Sequence, residues 1–296
     1  MPIPETQLET WSHQGSIKQS SITYQSIKSV LEANDAPFSE KNYKVFLQGS
    51  YGNDTNIYSE SDVDIVIQLN DCFHHDLTSL TADQQQAFKE THANATYTHV
   101  DFKKDVLGVL LGQYGDDVKA GKKAIAIAAS GNRRKADVIA AIQYRRYYKF
   151  LGLSDQSYDE GICFYTGSGV RIANYPKHHS HNLTKKHQST STMLKPMARI
   201  FKNMRSRMVK EGMIQDGVAP SYYLEGLLYN VPQEKFVSRY DDTFVNVINW
   251  IVEADRTKFV CANEQYYLLR DNSPVTWRDE DCNTFLSAVV DLWKQW

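Results

Sequence analysis

The sequence predicts an α+β fold, with helix and strands in the N-terminal half and a helical C-terminal half. Two changes in apolar spacing carry that prediction. Near residue 45 the three-to-four-residue spacing of a helix gives way to the two-residue alternation of strands. From about residue 195 the helical spacing returns. With 296 residues the chain can build one large domain or two modest ones around a well-buried core.

Residues 4–33 read as helix. Leu8 and Trp11, then Tyr24, Ile27, Val30 and Leu31, fall near helical spacing, while Gly15 and the serine-rich stretch after it can break or bend the run. The Asn-Asp-Ala-Pro stretch at 34–37 is a stop signal. Val45-Phe46-Leu47 is a short apolar run closed by Gly49-Ser50, the pattern of a buried strand ending in a tight turn. In the run 61–70, Val63, Ile65, Ile67 and Leu69 alternate with Asp62, Asp64, Val66 and Gln68, which predicts a strand with one face in the core. Residues 124–129 and 136–142 are two further strand candidates parted by Ser130-Gly131-Asn132, and a helix over about 99–113 precedes them. Residues 158–187, rich in Gly, Ser, His and Asn, read as a link. Helices are expected over 196–210, 221–229, 242–254 and 280–293.

Composition narrows the function classes. Charged residues make up 23% and the formal net charge is −2, so the basic excess of a dedicated nucleic-acid or anionic-membrane binder is missing. The apolar run at 106–112 is far shorter than the roughly 18 residues a membrane helix requires. The first ten residues carry neither a basic nor an apolar signal region, and Cys72, Cys163, Cys261 and Cys282 form no paired motif. The expectation is a cytoplasmic protein with four reduced thiols.

Chemistry concentrates in the carboxylates. Asp62 and Asp64 lie two apart on a strand, so both side chains leave one face. Two bare carboxylates about 4 Å apart repel by about 4 kcal/mol at a surface-like dielectric. A divalent cation cancels that repulsion, and hard oxygen ligands suit Mg²⁺. Composition alone supplies about four acid-x-acid pairs in a chain with 35 acids, so the pair by itself fits a solvated strand end equally well. Its context adds weight. It follows Gly49-Ser50 after eleven residues, and a Gly-Ser turn offers backbone N–H groups and a hydroxyl to a phosphate. Asp137 opens a later strand, where adjacent pairing would bring it beside the other two. Three carboxylates and a phosphate-gripping turn are what two-metal phosphoryl transfer uses.

This arrangement resembles the polymerase-β-like nucleotidyltransferases. The likeness extends along nearly the whole chain through PETQLETWSHQGS, LQGSY, SDVDIVIQL, ADVIAAIQYR, NYPKHH, KPMARIFKN, APSYYLEGLLYNVP and FVNVINW. Together these blocks resemble the bacterial CD-NTases, the cGAS/DncV-like synthases of antiphage (CBASS) defence, and most of all their clade E (CdnE), which includes a cyclic dipyrimidine synthase. The resemblance implies a mixed sheet with a long N-terminal helix, forming a catalytic core over 1–180, and a helical lobe over 181–296. It implies a cyclic dinucleotide synthase that joins two nucleoside triphosphates with release of pyrophosphate, its product a second messenger read by a separate effector protein. No stable DNA or membrane partner is expected. A nucleotidyltransferase with linear or other products, and a non-catalytic nucleotide-binding module, are the alternatives on the same scaffold.

Carried onto this sequence, the resemblance assigns Asp62, Asp64 and Asp137 to two Mg²⁺ ions, with Mn²⁺ a possible substitute, and makes Asp137 the candidate for drawing the proton from the acceptor hydroxyl. It assigns Gln48, Gly49 and Ser50 to the nucleotide triphosphate, joined by Lys202 and Ser221. On the residues alone, Arg199 and Lys202 share a helix face that solvent could equally cover, and Ser221 after Pro220 reads as a helix N-cap. Asn174, by itself a turn residue, stands in the N-Y-P block that the resemblance places at the uracil edge, where an amide offers both donor and acceptor. UTP is therefore the expected substrate. His178, His179, His181 and His187 lack clean metal-ligand spacing and read as a polar loop over the nucleotide pocket.

Overall fold

The computed structural model describes residues 2–58 and 62–296. The chain divides into two compact units that interleave in sequence: Met1–Lys18, Gln48–Ser61 and Pro176–Trp296 form one, Gln19–Leu47 and Asp62–Tyr175 the other. The opening residues and the segment from Gln48 belong to the helical unit although they precede most of the sheet in sequence. A boundary in a folded chain follows packing, and packing is not confined to contiguous sequence.

Helix α1 (Glu5–Ser12) and helix α2 (Lys18–Leu31) divide the helical stretch read over 4–33, with the break around Gly15 where the sequence allows one. The glycine is required by a close approach. A Cβ there would stand 2.7 Å from the carbonyl carbon of Ile57 and 2.8 Å from its oxygen. Residues 14–15 run against Asn56 inside the helical unit: Gly15 N–H donates to the Asn56 carbonyl at 3.0 Å, and Gln14 Nε2 donates to Asn56 Oδ1 at 2.7 Å. In the other unit, α2 is tied down where Tyr24 Oη donates to the Val45 carbonyl at 3.2 Å and Thr23 Oγ1 accepts from Arg134 N–H at 2.8 Å.

The sheet begins with β1 (Tyr43–Leu47). A single helical turn, α3 (Gly49–Gly52), follows, and then β2 (Val63–Asp76), whose residues 65–67 and 69 are wholly buried. Ser61 of the expected strand lies outside the described residues. Helices α4 (Ala82–Thr91) and α5 (His99–Tyr114) lead to β3 (Val118–Ala120), β4 (Ile125–Ile127), β5 (Ala136–Gly152), β6 (Asp155–Tyr165) and β7 (Arg171–Asn174). Helix α5 is stopped at its start by a capping box between Thr98 and Asp101 and held to the sheet where His99 Nε2 meets the Ala140 carbonyl at 3.0 Å. Among the described residues the strands form one mixed sheet in the order β1-β2-β5-β4-β3, and β6 pairs with both β5 and β7. β2 and β5 run parallel, and the long crossover that parallel pairing demands is the stretch from α4 to β4.

The helical unit continues with α6 (Pro176–Ser189), α7 (Leu194–Lys210), α8 (Ser221–Tyr229), α9 (Tyr240–Glu253) and α10 (Asp279–Gln295). The region around 176–189 therefore differs from the expected link. Its apolar residues are too few to show a helical stripe, and the helix is formed by tertiary burial of His179 and Leu183. α7 supplies the centre of this unit's core through Met197, Phe201 and Met204, all fully buried. The Glu5 carboxylate of α1 accepts from the Tyr240 and Asp241 N–H groups at 2.9 and 2.8 Å, capping the positive end of α9 from outside the helix.

Gly15→Ala should cost about 1–3 kcal/mol, because the added methyl can be admitted only by moving backbone. Chemical denaturation of the two proteins measures it, and a substitution with no effect on the midpoint would mean that the 14–15 strap has room to spare.

Candidate active site

The sheet unit assembles the carboxylates by register. Asp64 on β2 stands opposite Asp137 on β5, with Val63 opposite Ala136 and Ile65 opposite Val138. Residues paired in register project on the same side of a sheet, so the two carboxylates are neighbours. The other neighbour of Asp137 is Ala126 on β4, whose methyl group leaves space beside it. Asp62 immediately precedes β2 and accepts from Lys135 Nζ at 2.5 Å. That ammonium is held above its ordinary value, first by the hydrogen bond to Asp62 and then by the charges of Asp62, Asp137 and Asp64, while burial opposes the shift. The Asp137 carboxyl is raised by burial and by the Asp62 charge, with Lys135 acting in the opposite direction. Three carboxylates thus share one ammonium. Among the described residues no three acidic, imidazole or thiol groups already converge as a metal cage. The donor set is nonetheless all oxygen and anionic, which fits hard divalent cations.

The helical unit holds the Gly-Ser turn. Gly49 has φ 63°, the left-handed region that a side chain disfavours, and this swings the chain from β1 into α3. The turn is fastened by its own carbonyls: Gly49 O accepts from Asn53 N–H at 3.0 Å, Ser50 O from Thr55 N–H at 2.9 Å, and Gly52 O from Ser180 Oγ of α6 at 3.1 Å. Gln48 is the residue just before this turn and Ser50 is half-buried within it.

Behind the turn lies a network that the sequence did not disclose. The Glu225 carboxylate of α8 is 2% exposed. It accepts from Asn53 Nδ2 at 2.9 Å, His179 Nε2 at 2.7 Å, Lys202 Nζ at 2.8 Å and the Thr55 hydroxyl. Burial pushes this carboxyl up, but Lys202 and His179 outweigh it and hold the group well below the usual carboxylate range. His179 also stacks on Tyr222 with ring centroids 4.4 Å apart.

Two residues singled out in the sequence, Lys202 and His179, are part of this network. Lys202, expected at the triphosphate, is fully buried, with Nζ donating to Glu225, to Thr55 O at 3.1 Å and to Thr55 Oγ1 at 2.9 Å. Its neighbour Arg199 donates to the carbonyls of Ser12 and Asp54, so these two cations of α7 bind within the fold rather than forming a solvated face. Ser221 is the first residue of α8 rather than its N-cap, the position Pro220 occupies, and its Oγ accepts from Arg205 at 3.1 Å. His179 belongs to the network and not to a loop. Asn174 ends β7 opposite Ile162, and its Oδ1 accepts from Tyr175 N–H at 2.8 Å. Glu225 is the residue of this network that the sequence reading did not single out. Its signal was a lone acid at 225 within the otherwise apolar run 224–228, where an unpaired charge is too costly to bury.

Sheet, paired aspartates and helical unit together define a nucleotidyltransferase. The family of the cGAS/DncV-like nucleotidyltransferase C-terminal helical domain matches residues 181–294. Over its whole length the chain is 42% identical to the cyclic UMP-AMP synthase of Rhodothermus marinus, covering 99% of that protein. It is also 31% identical to the cyclic dipurine nucleotide synthase of Elizabethkingia meningoseptica, over 94% of this chain and 95% of that one. The solved structure of Rhodothermus marinus CdnE c-UMP-AMP synthase with Apcpp and Upnpp superposes with a TM-score of 0.89, covering 100% of this chain and 98% of the other. The chain belongs to the CD-NTases, the cGAS/DncV-like nucleotidyltransferases, and stands among their CdnE cyclic nucleotide synthases. The family works with a divalent metal. Among the described residues no helix is long and apolar enough to cross a membrane.

Two measurements probe this geometry. Glu225 has its pKa depressed on folding, so the stability it contributes is complete above its ordinary value of 4.5 and is lost as the pH falls below it. Glu225→Gln should therefore cost about 3–5 kcal/mol near neutrality, because the buried Lys202 ammonium loses the Glu225 carboxylate. In urea titrations the gap from wild type should narrow below that value, and a gap independent of pH would contradict the assignment. Lys135→Met removes the cation the three carboxylates share. Mn²⁺ binding followed by electron paramagnetic resonance should tighten by up to about fivefold, the scale of a half-exposed ion pair; weaker binding would mean that Lys135 assists the metal.

Proposed function

We propose that this enzyme makes a cyclic dinucleotide containing at least one uridine, from UTP and a second nucleoside triphosphate, as a second messenger for antiphage (CBASS) defence in the cytoplasm. The observation that carries the reading is the register of Asp64 opposite Asp137 beside Asp62. The choice of UTP draws support from the name of the Rhodothermus marinus relative and from the amide of Asn174 at the end of β7.

In this reading Asp62, Asp64 and Asp137 hold two Mg²⁺ ions, for which Mn²⁺ can substitute. When bound, such ions lower the pKa of an attacking hydroxyl and neutralise a leaving pyrophosphate. Asp137, whose carboxyl burial already holds above its ordinary value, takes the proton of the acceptor 3′-hydroxyl. Gly49 and Ser50 bind the triphosphate, with Gln48 beside them and the Ser221 O–H as a further donor. Each transfer forms a bond from the 3′-oxygen to the α-phosphorus and breaks the bond from that phosphorus to the pyrophosphate oxygen. The first transfer yields a linear dinucleotide with one triphosphate, and the second closes the ring. A separate effector protein reads the product.

The test is to incubate the protein with Mg²⁺ or Mn²⁺ and each α-labelled nucleoside triphosphate, singly and in pairs. After phosphatase treatment the products are resolved by chromatography and mass spectrometry. A phosphatase-resistant product that requires UTP is expected, and Asp64→Asn should abolish it while leaving the circular dichroism spectrum unchanged. A resistant product made only from purines would overturn the uridine assignment, and products fully degraded by phosphatase would overturn cyclisation.

A further inference from the structure

We infer that the buried Glu225–Lys202 pair is a positioning device for the Gly49-Ser50 turn. Through Asn53 and Thr55 it sets where the turn stands.

Three features of the helical unit lead there. First, the four donors to Glu225 come from the segment following the turn (Asn53, Thr55), from α6 (His179) and from α7 (Lys202), so one carboxylate on α8 joins that segment to two further helices. Second, the residues held by Glu225 are those that grip the turn. Asn53 N–H binds Gly49 O and Thr55 N–H binds Ser50 O, while their side chains bind the carboxylate. Each therefore links the turn to the carboxylate through a single residue. Third, α6 fastens the turn a second time through Ser180 on Gly52 O, one residue beyond His179.

The chemistry suits the task. A charge at this depth has few alternative positions, because any shift lengthens several of the hydrogen bonds that Glu225 and Lys202 make at once. The geometry of 49–55 is thereby confined more narrowly than a neutral hydrogen bond would confine it, and a site that binds phosphate through backbone N–H groups depends on such confinement. Thr55 is the hinge of the arrangement: its hydroxyl donates to Glu225 and accepts from Lys202, its carbonyl accepts from Lys202, and its N–H holds Ser50.

The inference rests on the reading that Gly49 and Ser50 bind the triphosphate, and the experiment separates the two. Thr55→Val removes the hydroxyl at nearly constant shape while leaving Glu225, Lys202 and His179 paired, so the protein remains foldable where Glu225→Gln is strongly destabilised. Thr55→Val should raise KM for the nucleoside triphosphate about tenfold, equivalent to about 1.4 kcal/mol, with kcat changed far less. Thr55→Ser should restore KM, and hydrogen exchange of the amides at 49–55 should quicken in the valine variant alone. An unchanged KM with unchanged exchange, or a loss in kcat that serine does not rescue, would overturn the inference. If exchange quickens in the valine variant while KM stays constant, the network positions the turn but the turn does not bind the triphosphate, and the functional reading of Gly49 and Ser50 is what fails.

Discussion

The parallel pairing of β2 with β5 is the constraint on which the candidate chemistry depends. Side chains alternate along a strand, so a slip of one residue would place Asp137 opposite Val63 or Ile65 and turn its carboxylate to the other face. The slip is prevented by burial. Val63, Ile65, Ile67 and Leu69 are fully enclosed on β2, as are Ala136, Val138 and Ile142 on β5, and a slip of one residue would turn one of these sets to the face that carries the aspartates. The apolar core of the sheet unit thus holds three acids where acids are least stable by themselves, and Lys135 supplies the partial compensation.

In the helical unit the corresponding element is a charge rather than an apolar face. Glu225 and Lys202 together replace what could have been two well-packed leucines, and such a replacement generally sacrifices stability. What it supplies is direction: hydrogen bonds fix the orientation of 53–55, where apolar contacts would fix only proximity. Glycine plays the complementary part, at Gly49 by allowing the left-handed turn and at Gly15 by letting the first strap of the chain lie against 56–57.

Much of the sheet and most of the helices were legible because their periodicities are strong. The alternation after Asp62 and the apolar stripes of α7 and α9 are produced by one-sided burial, which leaves its trace in sequence. α6 was not legible, since its polar residues carry no stripe. β6 and β7 were hidden by the polar composition of 155–174. The burial of Lys202 was hidden for a related reason: on a helix face a cation meeting solvent and one meeting a buried carboxylate 23 residues later look the same.

By itself, then, the sequence determined what local geometry determines: that Asp62 and Asp64 share a face, that Gly49-Ser50 ends a strand, that the second half is helical, and that the whole resembles the CD-NTases. Only the tertiary structure decided which residues meet across long separations. The register that seats Asp137 beside Asp64, the descent of Lys202 into the core, and the joining of residues 53–55 to Glu225 each depend on pairings between segments far apart in the chain. Such contacts are chosen by how buried surface and buried charge are jointly satisfied, and no window of sequence contains both partners.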